Sequence, residues 1–62
     1  NHRPLNFRQL APRLAAQGFY GVSKVAKDRR GSYRAYAFNQ RGRPVMLRIN
    51  AYTGRVLDVR YL

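Results

Sequence analysis

Between Ser23 and Tyr61 apolar and polar side chains alternate, and three glycines, Gly31, Gly42 and Gly54, interrupt the alternation. Period two marks a strand with one buried face. Each glycine follows two loop-compatible residues: Arg29-Arg30, Gln40-Arg41 and Tyr52-Thr53. Three-residue hairpin loops ending in a left-handed glycine, a type I turn plus a G1 bulge, suit that spacing. They predict four strands over about 20–28, 32–39, 43–51 and 55–61, joined as an antiparallel meander. Ahead of them Phe7, Leu10, Ala11, Leu14 and Ala15 recur at helical spacing, with Asn6 able to cap the start and Gly18 the end. This predicts a helix over about 6–17. Pro12 conflicts with it, because an interior proline removes one i→i−4 bond at a cost of ~3 kcal/mol. The helix is therefore either kinked near Arg8 or begins later, with Ala11 as cap and Pro12 at the first helical position. Residues 1–5 read as a flexible leader and 6–62 as one domain. The expected fold class is α+β: one N-terminal helix packed on one face of a four-stranded antiparallel meander sheet.

The turns set a register that the hydrophobic pattern can check. Loop 40–42 places Ala37 opposite Val45, Ala35 opposite Leu47 and Tyr33 opposite Ile49. Loop 52–54 places Ile49 opposite Leu57, Leu47 opposite Val59 and Val45 opposite Tyr61. Loop 29–31 places Val25 opposite Ala35 and Ser23 opposite Ala37. All of these residues then share one face, the side expected to carry the helix, and Ala35 and Ala37 are small enough to let it approach. The other face falls into three rows: Val22, Phe38, Pro44 and Leu62; Lys24, Tyr36, Met46 and Arg60; Ala26, Arg34, Arg48 and Asp58. Asp58 stands opposite Arg48, where a cross-strand ion pair is expected, and such an exposed pair contributes ~0.2–1 kcal/mol.

Length and charge narrow the function. A chain of 62 residues buries only ~60% of its unfolded surface, which leaves a small core. There is no cysteine, so neither a disulfide framework nor a Cys-ligated zinc site supports it. No apolar run approaches the ~20 residues of a membrane span, so no transmembrane segment is expected, and no signal-peptide pattern is visible. Thirteen Lys and Arg stand against two acids, a formal net charge of +11. That excess favours an anionic partner: a nucleic acid, a membrane surface or an acidic protein.

The same residues offer little to an enzyme. The single histidine, His2, falls in the expected leader, where it is solvated. Asp28 and Asp58 fall on different strands and different faces in this register, so they are not expected to work as paired carboxylates. Ser23, Ser32 and Thr53 have no base nearby, no glycine loop precedes a helix in the phosphate-binding order, and no metal-ligand set exists. No catalytic, cofactor-binding or metal-binding residue is assigned, and no cofactor is expected.

Arg30-Gly31 leading into an aromatic strand is similar to the RNP1 motif of RNA-binding domains. RNP1, however, has an aromatic directly after Arg-Gly and rings at alternating positions on one open face. Here Ser32 follows Gly31, and Tyr33 has the opposite parity to Tyr36 and Phe38. What remains is an outer face on which Tyr36, Phe38 and Met46 are flanked by Lys24, Arg34, Arg48 and Arg60. That face is the expected partner surface. Its composition suits stacked bases and phosphates, a bound peptide or a second copy. Val22, Phe38, Pro44 and Leu62 form the apolar corner through which a homodimer would pack.

From Ala11 to Leu62 the chain resembles a PepSY domain. The resemblance rests on "LAAQGFYGVSKVAKDRRGSYRAYAFNQRGRPVMLRINAYTGRVLDV": a short helix ending in Gly-aromatic, a Val-x-x-Val strand, Asp-x-x-Gly-x-Tyr, a Gly turn, an aliphatic strand and a closing Tyr-Thr-Gly-x-Val-Leu. The last hairpin is the most specific part. The resemblance implies the same helix-plus-four-strand layout. It also implies a periplasmic or secreted interaction module without catalytic residues, one that binds a protein or peptide partner such as a peptidase and can inhibit it. Nucleic acid ranks below protein as a partner on this reading. The sequence departs from the family pattern where Asn50 and Ala51 precede Tyr-Thr-Gly in place of an acid and a proline, and in its strongly basic balance.

Overall fold

A computed structural model describes residues 3–62; His2, and with it the reading of a solvated leader histidine, lies outside them. The elements are α1 (Phe7–Ala16), β1 (Tyr20–Lys27), β2 (Ser32–Phe38), β3 (Pro44–Asn50) and β4 (Val56–Tyr61). The strands form one antiparallel sheet in the order β1-β2-β3-β4, with α1 packed on one face, so the fold is the α+β meander expected from the turns.

Helix α1 is fixed at both ends by local chemistry. The Asn6 side chain accepts from the Gln9 backbone N–H (2.9 Å), and the Gln9 side chain accepts from the Asn6 N–H (3.0 Å). This reciprocal capping box satisfies two free donors of the first turn. At the other end Gly18, with φ +92°, donates to the Ala15 carbonyl, and Phe19 donates to that of Leu14. This is the Schellman arrangement that closes a helix on a left-handed residue. Pro12 stays inside α1, so the later start at Ala11 does not occur. It lies on the exposed side, where water can reach the carbonyl its ring leaves unpaired. Only Leu10 and Leu14 of the helix are fully buried, whereas Phe7 is exposed.

The leader expectation is corrected at Leu5. Its side chain is buried in the core, its N–H donates to the Ala51 carbonyl at 2.7 Å, and its carbonyl accepts from the Tyr33 hydroxyl at 2.9 Å. An apolar residue next to the helix cap had an open place on the sheet and took it.

The centre of the sheet matches the expected register. Tyr33, Ala35 and Ala37 stand opposite Ile49, Leu47 and Val45. The five inward residues Ala35, Ala37, Val45, Leu47 and Ile49 are essentially inaccessible, and with Leu5, Leu10 and Leu14 they form the core. Gly31, Gly42 and Gly54 all take positive φ, as the turn pattern predicts. The first turn is tied by Ser32, whose buried hydroxyl accepts from the Arg29 N–H and donates to the Arg29 carbonyl.

Both outer strands depart from simple alternation. In β1, Lys27 and Ala26 pair with Tyr33 and Arg34 as expected, but Ser23 then pairs with Tyr36 and Tyr20 with Phe38. Two extra residues are absorbed in two bulges. The left-handed residues there are Gly21 (φ +61°) and Lys24 (φ +53°), the conformation a G1-type bulge requires. Each bulge lengthens the repeat from two to three, so Phe19, Val22 and Val25 face the core. The expected inward place of Ser23 and outward place of Val22 are therefore both corrected: Ser23 is exposed, Val22 is half-buried, and Tyr20 takes the outer position beside Phe38.

In β4, Val59 and Tyr61 face Leu47 and Val45 as expected, but Ile49 faces Val56, not Leu57. The closing loop has four residues, 51–54, since Asn50 and not Ala51 bonds to Arg55. Ala51 is taken elsewhere: its N–H donates to the Gly31 carbonyl and its carbonyl accepts from Leu5. The Asn50 side chain accepts from the N–H groups of Tyr52 and Thr53 and holds the longer turn. A bulge at Leu57 restores the register by Asp58, leaving Leu57 exposed and Val56 packed on the core. Tyr61 keeps its register but lies open at the sheet edge, with the Arg43 guanidinium 5.2 Å from its ring centre.

Two side chains anchor the end of α1 to this turn. Arg13 donates to the Thr53 carbonyl at 3.1 Å. The Gln17 amide donates to the Gly54 carbonyl (2.8 Å) and the Arg13 carbonyl (3.0 Å), and its oxygen accepts from the Val56 N–H (2.9 Å).

Candidate functional site

With α1 on one face, the opposite face of the sheet stays uncovered, and the alternation of β2 and β3 decides what it displays. Arg34, Tyr36 and Phe38 project from β2; Pro44, Met46 and Arg48 answer them from β3; Asp58 and Arg60 follow from β4. The bulge at Lys24 swings that side chain onto the same face, where its ammonium lies 5.8 Å from the centre of the Tyr36 ring. All seven residues expected at a partner surface, Lys24, Arg34, Tyr36, Phe38, Met46, Arg48 and Arg60, are thus brought together.

The face is graded. At one end Tyr20, Phe38 and Pro44 stand in register across three strands, and the Leu62 N–H donates to the Pro44 carbonyl at 3.2 Å, extending the row to the fourth. A β-carbon at Gly21 would lie 3.0 Å from Phe38 Cδ2, so the Phe38 ring rests on the bare backbone of the bulge. It nevertheless remains 47% exposed, as Tyr20 is at 48%, and both are large apolar groups facing water. Phe38 and Tyr20 together would bury substantial area against a partner.

At the other end four arginines border one cavity. This shallow cavity of about 260 Å³ is bounded by Arg29, Arg34, Arg48 and Arg60, with Met46 beside them. Asp28 and Asp58 both border it, which corrects their expected placement on different faces: Asp28 lies in the turn beyond β1, where strand alternation no longer sets the side. The expected Asp58–Arg48 ion pair is corrected. The two residues face each other across β3 and β4, but Asp58 pairs with Arg60 of its own strand at 3.7 Å. Alternate residues of a strand share a face, so Arg60 competes for the same carboxylate. This is the one ion pair formed among the described residues, and it leaves Arg34 and Arg48 free to meet an incoming anion.

Two contributors escaped the sequence reading. The expected rows give Tyr20 no place, and only the Phe19-x-x-Val22-x-x-Val25 repeat, with Gly21 inside it, signals that the strand advances in threes and brings Tyr20 beside Phe38. Arg29 was read as a turn residue, although the turn carries it to the edge of the arginine cavity.

The described residues bring no three His, Cys, Asp or Glu side chains together, and none of their helices is long and apolar enough to cross a membrane. No protein-family model, curated protein or solved structure matches the chain.

Proposed function

We propose that this domain is a non-catalytic interaction module, working outside the cytoplasm, that docks a protein or peptide partner on the open face of its sheet. One observation carries the reading: an uncovered sheet face on which a row of exposed aromatic and apolar side chains adjoins a cluster of arginines. A core-facing sheet surface would be apolar throughout, and an idle solvent face would not hold Tyr20 and Phe38 nearly half, and Leu62 more than half, in water. The resemblance of residues 11–62 to PepSY modules supports the same reading, and extends it to a peptidase as the partner and to inhibition as the outcome.

A display selection of random peptides on the immobilised domain tests it. Enriched peptides are expected to lose most of their binding to a Tyr36→Ala/Phe38→Ala variant. Peptides that bind the variant as well as the parent would reject the face as the docking surface. The extracytoplasmic placement is checked by fractionating native cells, and recovery of the protein with the cytosol contradicts it.

A further inference from the structure

Resting on that binding-module reading, we infer that the open face takes an acidic polypeptide segment in extended form. Its apolar side chain seats on the Tyr20–Phe38–Pro44–Leu62 row, and its carboxylates reach Arg34 and Arg48. The spacing follows from the strands. Phe38 and Arg34 are four residues apart on β2, roughly 13 Å at about 3.3 Å per residue. An extended ligand has the same rise, so an apolar residue and an acid four positions apart fall on the two ends together. The position between them meets Tyr36, Met46 and Arg60.

Charge complementarity selects the sign of the ligand. The chain carries a net charge of +11, and Arg34 and Arg48 have no carboxylate partner in the one ion pair formed among the described residues. A carboxylate between two guanidiniums gains charge-assisted hydrogen bonds in a planar fork geometry.

Two features favour a polypeptide over a single-stranded nucleic acid. A base stacks on a free ring face, but the Tyr36 ring already has the Lys24 ammonium over it. The two acidic side chains of the sequence, Asp28 and Asp58, both line the arginine cavity. A phosphodiester carries a charge at every unit through that cavity and meets repulsion from both, while a peptide can confine its charge to the acid held by Arg34 and Arg48 and turn backbone N–H groups toward Asp28 and Asp58.

The test is fluorescence anisotropy with a labelled Ser/Thr peptide that carries leucine and two aspartates at alternate positions. Three competitors accompany it: the same peptide with lysines for aspartates, the same with serine for leucine, and an oligothymidylate. The aspartate–leucine peptide is expected to bind, more weakly as salt rises, and both altered peptides to bind less. Arg34→Ala and Arg48→Ala should each weaken binding about tenfold or more, the loss of one charge-assisted contact. Arg34→Gln keeps a polar side chain but removes the charge and should weaken binding similarly, and circular dichroism verifies that each variant is folded. The inference is overturned if the acidic peptide does not bind, or if folded arginine variants bind it as the parent does. It is also overturned if the oligothymidylate binds more tightly and loses affinity with the same substitutions. If the display selection instead yields neutral or basic peptides that depend on Tyr36 and Phe38, the docking face stands and the acidic ligand is rejected.

Discussion

Replacing Leu47 with alanine is expected to leave much of the protein unfolded at ambient temperature. Leu47 sits at the centre of the sheet, between Ala35 and Val59, and is 1% exposed. Truncating a fully buried leucine costs about 2–5 kcal/mol, transfer and cavity terms together. A domain of 62 residues holds only about 3–9 kcal/mol in all, at 0.05–0.15 kcal/mol per residue. Ala35 and Ala37 on the neighbouring strand are already minimal, so nothing beside the cavity can expand to fill it. Urea denaturation followed by far-UV circular dichroism measures the loss. The matched control is Leu57→Ala, which strict alternation would have placed in the same core. The bulge exposes Leu57, so its truncation should change stability by no more than about 0.5 kcal/mol. Equal losses at the two positions would mean that β4 keeps the unbulged register.

The second large effect is expected at Gly54. At φ +78° an alanine there pays the left-handed penalty of about 1–2 kcal/mol. Its β-carbon would also lie 2.8 Å from Arg13 Cδ and 3.1 Å from Arg13 Cβ. Arg13 must then move, and its hydrogen bond to the Thr53 carbonyl goes with it, a further ~1 kcal/mol. Gly42 separates the two terms. Its φ is nearly the same, +75°, but an added β-carbon meets nothing within 4 Å. Gly42→Ala should show the backbone penalty alone and Gly54→Ala about 1 kcal/mol more, read from paired thermal or chemical melts. Indistinguishable losses would mean that the docking of α1 on the β3–β4 turn contributes nothing.

The same pair of glycines shows how far the sequence could be read. Three almost evenly spaced glycines announced three turns, and they gave the meander, the central register and the outer rows of β2 and β3. Spacing alone could not show that one turn lies under a helix and another in open solvent, because Arg13 and Gly54 meet only through the tertiary fold. The miss at Leu57 has the same origin. A three-residue loop is the locally simplest reading of Tyr52-Thr53-Gly54, but Ala51 is drawn out of the ladder by Gly31 and Leu5, both distant in sequence. In β1 the deviation was local and could have been seen, since Phe19, Val22 and Val25 repeat in threes around Gly21. Lys24 hid it, because a lysine rarely takes a positive φ. The candidate site survived these errors because Arg34, Tyr36, Phe38, Met46 and Arg48 belong to the two inner strands, where alternation is undisturbed. Tyr20, on the bulged strand, and Arg29, in the first turn, were the residues lost.

The fold and the proposed site share one logic. A core assembled entirely on the helix side leaves the other side of the sheet without a structural task, yet that side holds exposed rings at one end and gathered arginines at the other. The most direct measurement is chemical-shift mapping of the isotope-labelled domain during titration with the acidic leucine–aspartate peptide. The account predicts that the perturbed amides and side chains cluster at Tyr20, Arg34, Tyr36, Phe38, Met46 and Arg48, while Leu10 and Leu14 stay unmoved. Perturbations centred instead on α1 or on the Arg41–Arg43 turn would contradict it.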